Sequence, residues 1–411
     1  MSPAVQTIAN LDLEASGFYS DPYPVYRFLR ENDPVYWSPQ WGGWLLTRYQ
    51  DVAAMLRDMR RFSNVGRMSR FLGWLPEKVR SQIRPFQEHF EQGLINSDPP
   101  NHTRMRGLLN KAFTPGLVAS QATRIQAIVD SLLDTVEAKK QMDIISDFAF
   151  LLPTTVIAQM LGVPLEDREQ FKKWADGVNA FVGTGRVLSD LAVWAQGCLL
   201  ELREYFRALI AQRRAQPQED LITVLAFAED EGVLFNDSEL LSVCVTLLLA
   251  GYETTMSLIG NAMLALLRNP DQLERLKGNP NLMTSAIEEL LRYDGPIHRQ
   301  WRVATEDIEL AGKHIHKGEL VAAMLGAANH DPAQFTDPDR LDISRQNTRH
   351  VAFGYGIHFC LGAPLARLES QIALQTLLRR IPYMRLADDP PVWRQEITIH
   401  GLKSLPVALG D

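Results

Sequence analysis

The sequence contains little cysteine, with Cys198, Cys244 and Cys360 the only three in 411 residues. An odd number of widely separated thiols argues against a disulfide framework and favours a reducing compartment. The cysteine usage therefore predicts a cytoplasmic protein.

Long runs of one residue class are also missing. No block of five like charges occurs and the net charge is −7, which argues against nucleic acid as a partner. Residues 1–19 lack a basic start followed by an apolar run, so no signal peptide or membrane anchor is predicted. The most apolar stretch, 240–267, is interrupted by Glu253 and Asn261, and a buried helix fits it better than a membrane span.

The composition is that of a globular protein, with 46% hydrophobic residues, enough for a sizeable core. Helical periodicity dominates from about residue 95 to Arg380, whereas residues 61–95 show no lasting periodicity. Strand-like runs occur around 35–37, 44–47, 302–325 and 396–408. Without a repeat, linker or composition break, the sequence predicts one mainly α domain with minor β structure over residues 1–411.

Cys360 stands where a glycine-broken loop gives way to a helix. The loop, residues 353–362, reads Phe-Gly-Tyr-Gly-Ile-His-Phe-Cys-Leu-Gly. The helix is predicted from apolar residues at 3- and 4-residue steps, and it ends at Arg380, before Pro382. A thiol at a helix N-terminus meets free N–H groups and the positive end of the dipole, which predicts a lowered pKa and a stabilised thiolate.

Glycines around Cys360 add to this expectation. Gly354 and Gly356 permit backbone angles denied to other residues, and Gly362 removes a side chain near the sulfur, where a flat ligand could approach. One thiolate with open space before it suits a metal carried by a large cofactor. The alternatives are a core cysteine, a zinc ligand beside His358, or a dinucleotide-binding loop that lacks its last glycine.

A second suggestive segment, residues 98–106, reads Asp-Pro-Pro-Asn-His-Thr-Arg-Met-Arg. Asp98 can cap a helix on which His102 and Arg106, four residues apart, share a face. Two cationic donors on one face suit carboxylates. The alternative is a solvated basic helix face.

A helix of about 30 residues, roughly 45 Å long, is predicted from a capping-like Asn236 to Leu267. Near its middle, residues 250–255 read Ala-Gly-Tyr-Glu-Thr-Thr. Burying the Glu253 carboxylate is costly unless it is paired or needed, and the hydroxyl groups can loosen the helix to admit water or a diatomic ligand. Alternatively, Glu253 faces solvent and the threonines only pack.

Two further pairs have simpler interpretations. Glu289 and Arg292 are three apart on one helix face, where an isolated pair is usually a weak surface ion pair. His314 and His316 could share a strand face and bind a metal. Flanking glycines favour an exposed hairpin instead.

These segments together resemble the cytochromes P450, the haem-thiolate monooxygenases, of the soluble bacterial type. The motifs that match are Phe-Gly-x-Gly-x-His-x-Cys-x-Gly at 353–362, Asp-Pro-Pro-x-His-x-x-x-Arg at 98–106, Ala-Gly-x-Glu-Thr-Thr at 250–255 and Glu-x-x-Arg at 289–292. The resemblance covers essentially the whole chain. It implies a triangular helical domain with a long central helix and small sheets, binding haem b, without a fused reductase.

The resemblance also implies residue roles. Cys360 would be the axial iron ligand, and Glu253 with Thr254 would relay protons. The residues placed at the haem are His102, Arg106, Ala250, Gly251, Arg302, Phe353, Gly354, His358 and Gly362. Glu289 and Arg292, joined by Arg340, would lock the core beneath it. The substrate pocket would be lined by Thr246, Leu249, Ala250 and Ile297.

The implied activity is hydroxylation or epoxidation of an apolar small molecule with O2, by a monomer that takes electrons from a separate ferredoxin and ferredoxin reductase. A peroxide-driven peroxygenase would not depend on Glu253 and Thr254, and neither would a non-catalytic haem sensor. The retained pair argues against both. The substrate itself is not predicted, because its contacts are expected in segments 61–95 and 175–190 and around Ile297 and Leu402. Gly177, Gly183 and Gly185 interrupt the helical pattern in the second segment, which the resemblance makes a mobile lid over the substrate entrance. The alternative is a plain interhelical loop.

Overall fold

The computed structural model describes residues 11–184, 188–230, 232–396 and 398–410. Within these ranges the helices are α1 (Ser16–Ser20), α2 (Tyr23–Asn32), α3 (Tyr49–Arg57), α4 (Arg67–Leu72), α5 (Glu77–Gln82), α6 (Arg84–Glu91), α7 (Asn101–Ala112), α8 (Pro115–Ser120), α9 (Ala122–Asp134), α10 (Leu151–Met160), α11 (Arg168–Thr184), α12 (Ser189–Ala215), α13 (Leu221–Ala226), α14 (Asp237–Arg268), α15 (Pro270–Gly278), α16 (Met283–Asp294), α17 (Leu325–Ala328) and α18 (Ala363–Arg380).

The strands are short. They are β1 (Val35–Ser38), β2 (Gly43–Leu46), β3 (Phe62–Ser63), β4 (Gln141–Asp143), β5 (Glu229–Asp230), β6 (Val233–Leu234), β7 (Arg299–Ala304), β8 (Ile308–Leu310), β9 (Lys313–Ile315), β10 (Leu320–Met324), β11 (Met384–Leu386), β12 (Val392–Trp393), β13 (Leu402–Ser404) and β14 (Pro406–Leu409). The main sheet has the order β1-β2-β10-β7-β3, in which only β2 and β10 pair in parallel. The predicted mainly α fold with minor β structure is confirmed.

The long helix α14 crosses the core. Its start is fixed by the predicted capping box, in which the Asn236 side chain accepts from the Glu239 N–H and the Glu239 carboxylate accepts from the Asn236 N–H. Among the described residues α14 is the one helix long and apolar enough to cross a membrane, and most of its apolar window is buried by α10, α12, α16 and α18. It is therefore a core helix, as predicted.

Two expectations about irregular segments are wrong. Residues 61–95 contain three helices, α4 to α6, which are too short to show a periodic pattern. Gly177 does not interrupt a helix, because α11 continues to Thr184. A Cβ atom on Gly177 would lie 2.3 Å from the Cys198 sulfur, so glycine lets α11 and α12 pack closely. The break predicted at Gly185 lies outside the described residues.

Candidate active site

A cavity of about 850 Å³ lies between α14, the 353–362 loop, β7 and the α4 to α7 region. Helix α14 lines it with one face, whose residues recur at steps of three and four, namely Val243, Thr246, Leu247, Ala250, Gly251, Thr254, Thr255 and Leu258. Thr246 and Ala250 thus lie where they were predicted. Leu249 does not, because it is off this face and packs in the hydrophobic core.

The loop that carries Cys360 is bent by glycine. Gly354 and Gly356 both have φ of +73°, and a Cβ on Gly356 would lie 2.7 Å from the Leu56 carbonyl oxygen. The Cys360 N–H donates to the Phe353 carbonyl at 3.0 Å, which closes the loop three residues before α18 begins. Cys360 lines the cavity, and no atom lies within 4 Å of the point where Gly362 would carry a Cβ. The space that a flat ligand needs is therefore present beside the thiol.

The expected low pKa of the Cys360 thiol is wrong for the protein alone. Burial raises this pKa, and the N–H groups of Gly362 and Ala363 and the charge of Arg106 lower it by less. The Cys360 surface faces the cavity rather than bulk water, so desolvation outweighs the helix terminus. A metal cation at the sulfur would restore the thiolate.

Basic side chains gather at one side of the cavity. Arg106 donates through Nη1 to the Phe359 carbonyl at 2.8 Å, and Arg302 donates through Nη1 to the Trp301 carbonyl at 2.8 Å. His358 Nε2 lies 2.8 Å from Asn64 Nδ2, and the His102 ring lies behind it at a centroid distance of 4.2 Å. Arg106, Arg302 and His358 line the cavity, whereas His102 is buried just outside it.

Arg67 completes this group and was not predicted. It lies on the same cavity and donates through Nη2 to Asn96 Oδ1 at 2.7 Å. A lone arginine in a segment without periodicity carried no signal. The expected helix cap by Asp98 is wrong. The Asp98 carboxylate accepts from the Asn64 N–H at 3.0 Å and from the Ser63 hydroxyl, and no side chain of the described residues caps α7. Asp98 therefore anchors the segment before Arg67.

Among the described residues these basic groups lack acidic partners, and their burial disfavours the charged forms. Burial lowers the pKa of Arg302 to about 9 and that of Arg67 to about 10. Burial and the nearby Arg302 charge lower the pKa of His358 to about 3. Arg302 Nε and His102 Nε2 are buried without a hydrogen-bond partner. Such a cluster is costly unless an anionic group binds to it.

Thr254 and Glu253 face different ways on α14. Thr254 lines the cavity, and its Oγ1 donates to the Ala250 carbonyl at 2.8 Å. Glu253 is buried away from the cavity, where its Oε1 accepts from Arg394 Nη1. Burial raises the pKa of Glu253, although Arg394 opposes the shift. The alternative that Glu253 faces solvent is therefore wrong.

Gly251 and Phe353 lie at the cavity as predicted. A Cβ on Gly251 would come within 3.0 Å of Ile157 Cγ1, so the missing side chain also serves the packing of α10 against α14. The Phe353 ring packs under the Arg367 guanidinium at 4.6 Å. Both positions thus join the cavity wall to the protein core.

Glu289 and Arg292 form a buried pair, with Arg292 Nε and Nη2 at 2.7 and 2.9 Å from the two carboxylate oxygens. The third member is Arg345, whose Nε lies 2.9 Å from Glu289 Oε2. The prediction of Arg340 is wrong. Its side chain is exposed, and only its carbonyl takes part, accepting from Arg345 and Arg292.

The apolar lining comes mainly from the expected segments. Met68, Phe71, Phe86 and Phe181 face the cavity, and so does Ile297. The Leu402 side chain, in contrast, is fully buried in the core. The lining is predominantly apolar, which suits an apolar substrate.

His314 and His316 lie on an exposed hairpin, as the flanking glycines indicate. His314 Nε2 and His316 Nδ1 each lie 3.9 Å from an oxygen of Asp307. The three could hold a metal ion, but they lie outside the cavity.

The donor set fits a haem. A cysteine thiol faces open space, and Arg106, Arg302 and Arg67 lie on the same cavity, where the propionates of a porphyrin would satisfy them and the unpartnered Arg302 Nε. The residues present therefore match one large, flat, dianionic ligand with a metal centre.

Comparisons with known proteins agree. The family model described as cytochrome P450 matches residues 77–384. Cytochrome P450 107B1 of Saccharopolyspora erythraea is 42% identical over 402 residues, covering 96% of each chain. The structure of P450BioI with a hexadec-9Z-enoic acid ligated acyl carrier protein has a TM-score of 0.89 at 39% identity, covering 96% of this chain and 99% of that one. CYP109E1 from Bacillus megaterium with testosterone has a TM-score of 0.83 at 35% identity, covering 95% and 100%.

The family match covers most of the chain, and the relatives cover nearly all of it at well over 30% identity. The two similar structures, P450BioI and CYP109E1, share the fold of this chain. This chain belongs to the cytochrome P450 family, the haem b monooxygenases.

Proposed function

We propose that the chain binds haem b through Cys360 and oxidises an apolar small molecule in the cavity above it. The haem, when bound, supplies the activation of O2 for insertion of one oxygen atom into the substrate. The observation that carries the assignment is the placement of the Cys360 thiol and the Thr254 hydroxyl on one cavity that also contains the arginines Arg67, Arg106 and Arg302, the last with its Nε unpartnered.

Arg106, Arg302, His358 and His102 hold the propionates in this proposal, with Arg67 added to the set. Arg302 Nε and His102 Nε2 lack partners, so each can donate to an anion without breaking a bond within the protein. Gly251, Ala250, Phe353, Gly354 and Gly362 shape the haem slot. Glu289, Arg292 and Arg345 brace the polypeptide before the loop.

Thr254 and Glu253 move protons. The Thr254 hydroxyl faces the cavity and can position a water there. Glu253, which is buried on the side of α14 away from the cavity, supplies the proton. Without the Thr254 hydroxyl, O2 should still be reduced, but it should leave as hydrogen peroxide instead of oxidising the substrate.

The reduced protein, treated with carbon monoxide, tests the ligand. Wild-type protein should show the long-wavelength Soret band of thiolate ligation. Cys360→Ser should lose this band yet retain some haem, because the cation cluster remains. A wild-type spectrum without the band would overturn the assignment.

The substrate is apolar in this proposal, because most of the residues that line the cavity are apolar, with leucine and phenylalanine the most frequent. Two of the similar structures hold a fatty acid on an acyl carrier protein and a steroid. A screen of free steroids, free fatty acids and acyl carrier protein thioesters, read by the shift of the ferric Soret band, should identify the class. Binding of the thioester but not the free acid would make the substrate carrier-tethered.

In this proposal the electrons come from a separate ferredoxin and ferredoxin reductase. The protein that accepts them is one haem domain, residues 1–411, which is monomeric and cytoplasmic. Support for one haem domain comes from the similarity to Cytochrome P450 107B1, which covers 96% of each chain. Turnover with ferredoxin and reductase should exceed turnover with hydrogen peroxide. The reverse result would favour the peroxygenase.

A further inference from the structure

Arg394 lies between two carboxylates. Its Nη1 donates to Glu253 Oε1 and lies 3.6 Å from Glu396 Oε2, which is buried and makes no hydrogen bond. The backbone fixes the arginine, because its N–H donates to the Gly401 carbonyl at 3.0 Å beside the β12–β13 hairpin. One guanidinium thus holds one acid tightly and a second one loosely.

The three side chains form a path toward solvent. The Glu253 side chain is 3% exposed, whereas those of Arg394 and Glu396 are 24% and 15% exposed. Glu253 also has no surface on the cavity. The more exposed Arg394 and Glu396 side chains thus offer a route by which a proton from bulk water can approach Glu253.

A purely structural ion pair would need only one acid. A second buried carboxylate with an unbonded oxygen costs free energy, and two carboxylates on one cation repel each other when both are ionised. Burial and the charge of Glu253 raise the pKa of Glu396, and burial raises that of Glu253. Asp176 adds to both shifts.

The other titratable groups here come from α11 and α14. The Tyr252 hydroxyl donates to Asp176 at 3.1 Å, and Lys172 Nζ lies 2.8 Å from Asp176 on the side away from Tyr252. Lys172 compensates Asp176, so Arg394 is left as the cation shared by Glu253 and Glu396. This charge balance favours one proton held between the two glutamates.

We propose that Glu396 takes up protons from solvent and passes them to Glu253, with Arg394 holding both carboxylates on one nitrogen for the exchange. The inference rests on the proposed function, in which Glu253 and Thr254 deliver protons to the cavity. Water protonates the Glu396 carboxylate. The proton then moves to the Glu253 carboxylate, and Glu396 returns to the anion, so only O–H bonds form and break and no electrons move.

The first test measures the proton itself. Infrared spectra of the substrate-free ferric holoprotein labelled with 13C-glutamate should contain a protonated carboxyl band that fades as pH rises through the neutral range. Burial also raises the pKa of Glu369, so the Glu396 signal is the part of this band that remains in Glu369→Gln. Glu396→Gln should lose that part, and Glu396→Asp should keep a corresponding unlabelled band. Glu309→Gln, which removes an exposed acid, is the matched control and should leave the band unchanged.

The second test measures proton delivery to the cavity through the rate of product formation. With a substrate from the screen and a ferredoxin system, Glu396→Gln should slow product formation roughly 10-fold, less than the 10²–10⁴ typical of a group that transfers the proton directly. The solvent deuterium isotope effect should increase. Glu396→Asp should recover most of the rate, which a merely structural defect would not allow.

The outcomes separate the two proposals. If Glu253→Gln slows coupled turnover while Glu396→Gln changes neither the carboxyl band nor the isotope effect, the exchange through Glu396 is wrong and the Glu253–Thr254 relay stands. If Glu253→Gln and Thr254→Ala both leave coupled turnover intact, the relay and the exchange are both wrong.

Discussion

Two buried clusters of charge in this protein differ in how they are satisfied. Around Glu289 each charged group has partners within the chain: Arg292 donates to both carboxylate oxygens and to the carbonyls of Asn329 and Pro338 at 2.9 and 2.8 Å, and Arg345 adds a further bond. Around Arg302 the cations crowd one another, and Arg302 Nε and His102 Nε2 remain without partners.

The difference separates structure from ligand binding. A satisfied buried pair holds backbone segments together, and its loss harms the fold. A buried cation with an unbonded N–H and no acid beside it is costly to the protein alone, and binding of an anion offsets that cost. Removal of one arginine should therefore lower the stability of the fold in the first cluster and the affinity for the ligand in the second.

The largest effect is expected from Arg292→Met. It leaves the Glu289 carboxylate buried with less compensation, which should lower the free energy of unfolding by about 3–5 kcal/mol. Urea denaturation of the holoprotein, followed by far-ultraviolet circular dichroism, measures this loss. Arg84→Met breaks the largely exposed Arg84–Glu88 pair and should cost at most about 1 kcal/mol. Equal losses in both variants would contradict the comparison.

Arg302→Leu should act on the ligand instead. Loss of a charged hydrogen-bond donor should weaken haem binding roughly 10- to 100-fold. Transfer of haem to excess apomyoglobin measures the effect. The exposed Arg349→Leu is the control and should transfer haem at the wild-type rate. Unchanged haem retention in Arg302→Leu would remove Arg302 from the propionate set.

Glu369 extends the comparison of satisfied and unsatisfied buried groups to a carboxylic acid. It is buried on the cavity with Oε2 unpartnered, and burial raises its pKa from 4.5 to about 8. Because the folded state holds the proton more tightly, this group's contribution to stability is complete below pH 4.5 and is lost as pH rises toward 8. Relative to wild type, Glu369→Gln should therefore gain up to about 1.4 kcal/mol per pH unit in that window. Urea denaturation at pH 6 and pH 7 checks the change, and a constant difference would contradict it.

The smallest effect is expected from Arg340→Ala. The side chain is exposed and makes no contact with Glu289, so the free energy of unfolding should change by less than about 0.5 kcal/mol. Arg345→Ala, which removes a donor to Glu289, should be clearly more destabilising in the same assay. If Arg340→Ala were the more damaging substitution, the assignment of Arg345 as the third member would be wrong.

Local features of the sequence predicted much of the fold. The capping residues Asn236 and Glu239 and an uninterrupted apolar pattern define α14, and Pro382 follows the end of α18. Short helices such as α4 and α5 were missed because six residues span less than two turns, too few for a pattern to repeat.

The site was predicted where its residues belong to compact motifs and missed where they do not. Cys360 and Thr254 are each marked by neighbours within a few positions. Arg394 lies 141 residues from its partner Glu253, and Arg67 meets Asn96 only through folding. Arg340 and Arg345 are five residues apart in an irregular segment, where no periodic pattern shows which side chain turns inward.

The cavity-facing stripe of α14 constrains how this enzyme can diverge. The cavity-lining side chains of Val243, Thr246 and Leu247 and the hydroxyl of Thr254 share one face of one helix. A residue inserted between Leu247 and Thr254 would turn all that follows by about 100° relative to what precedes it, burying the alcohol and swinging core leucines into the chamber. New specificities on this stripe must therefore arise by exchange of side chains, with its length held constant.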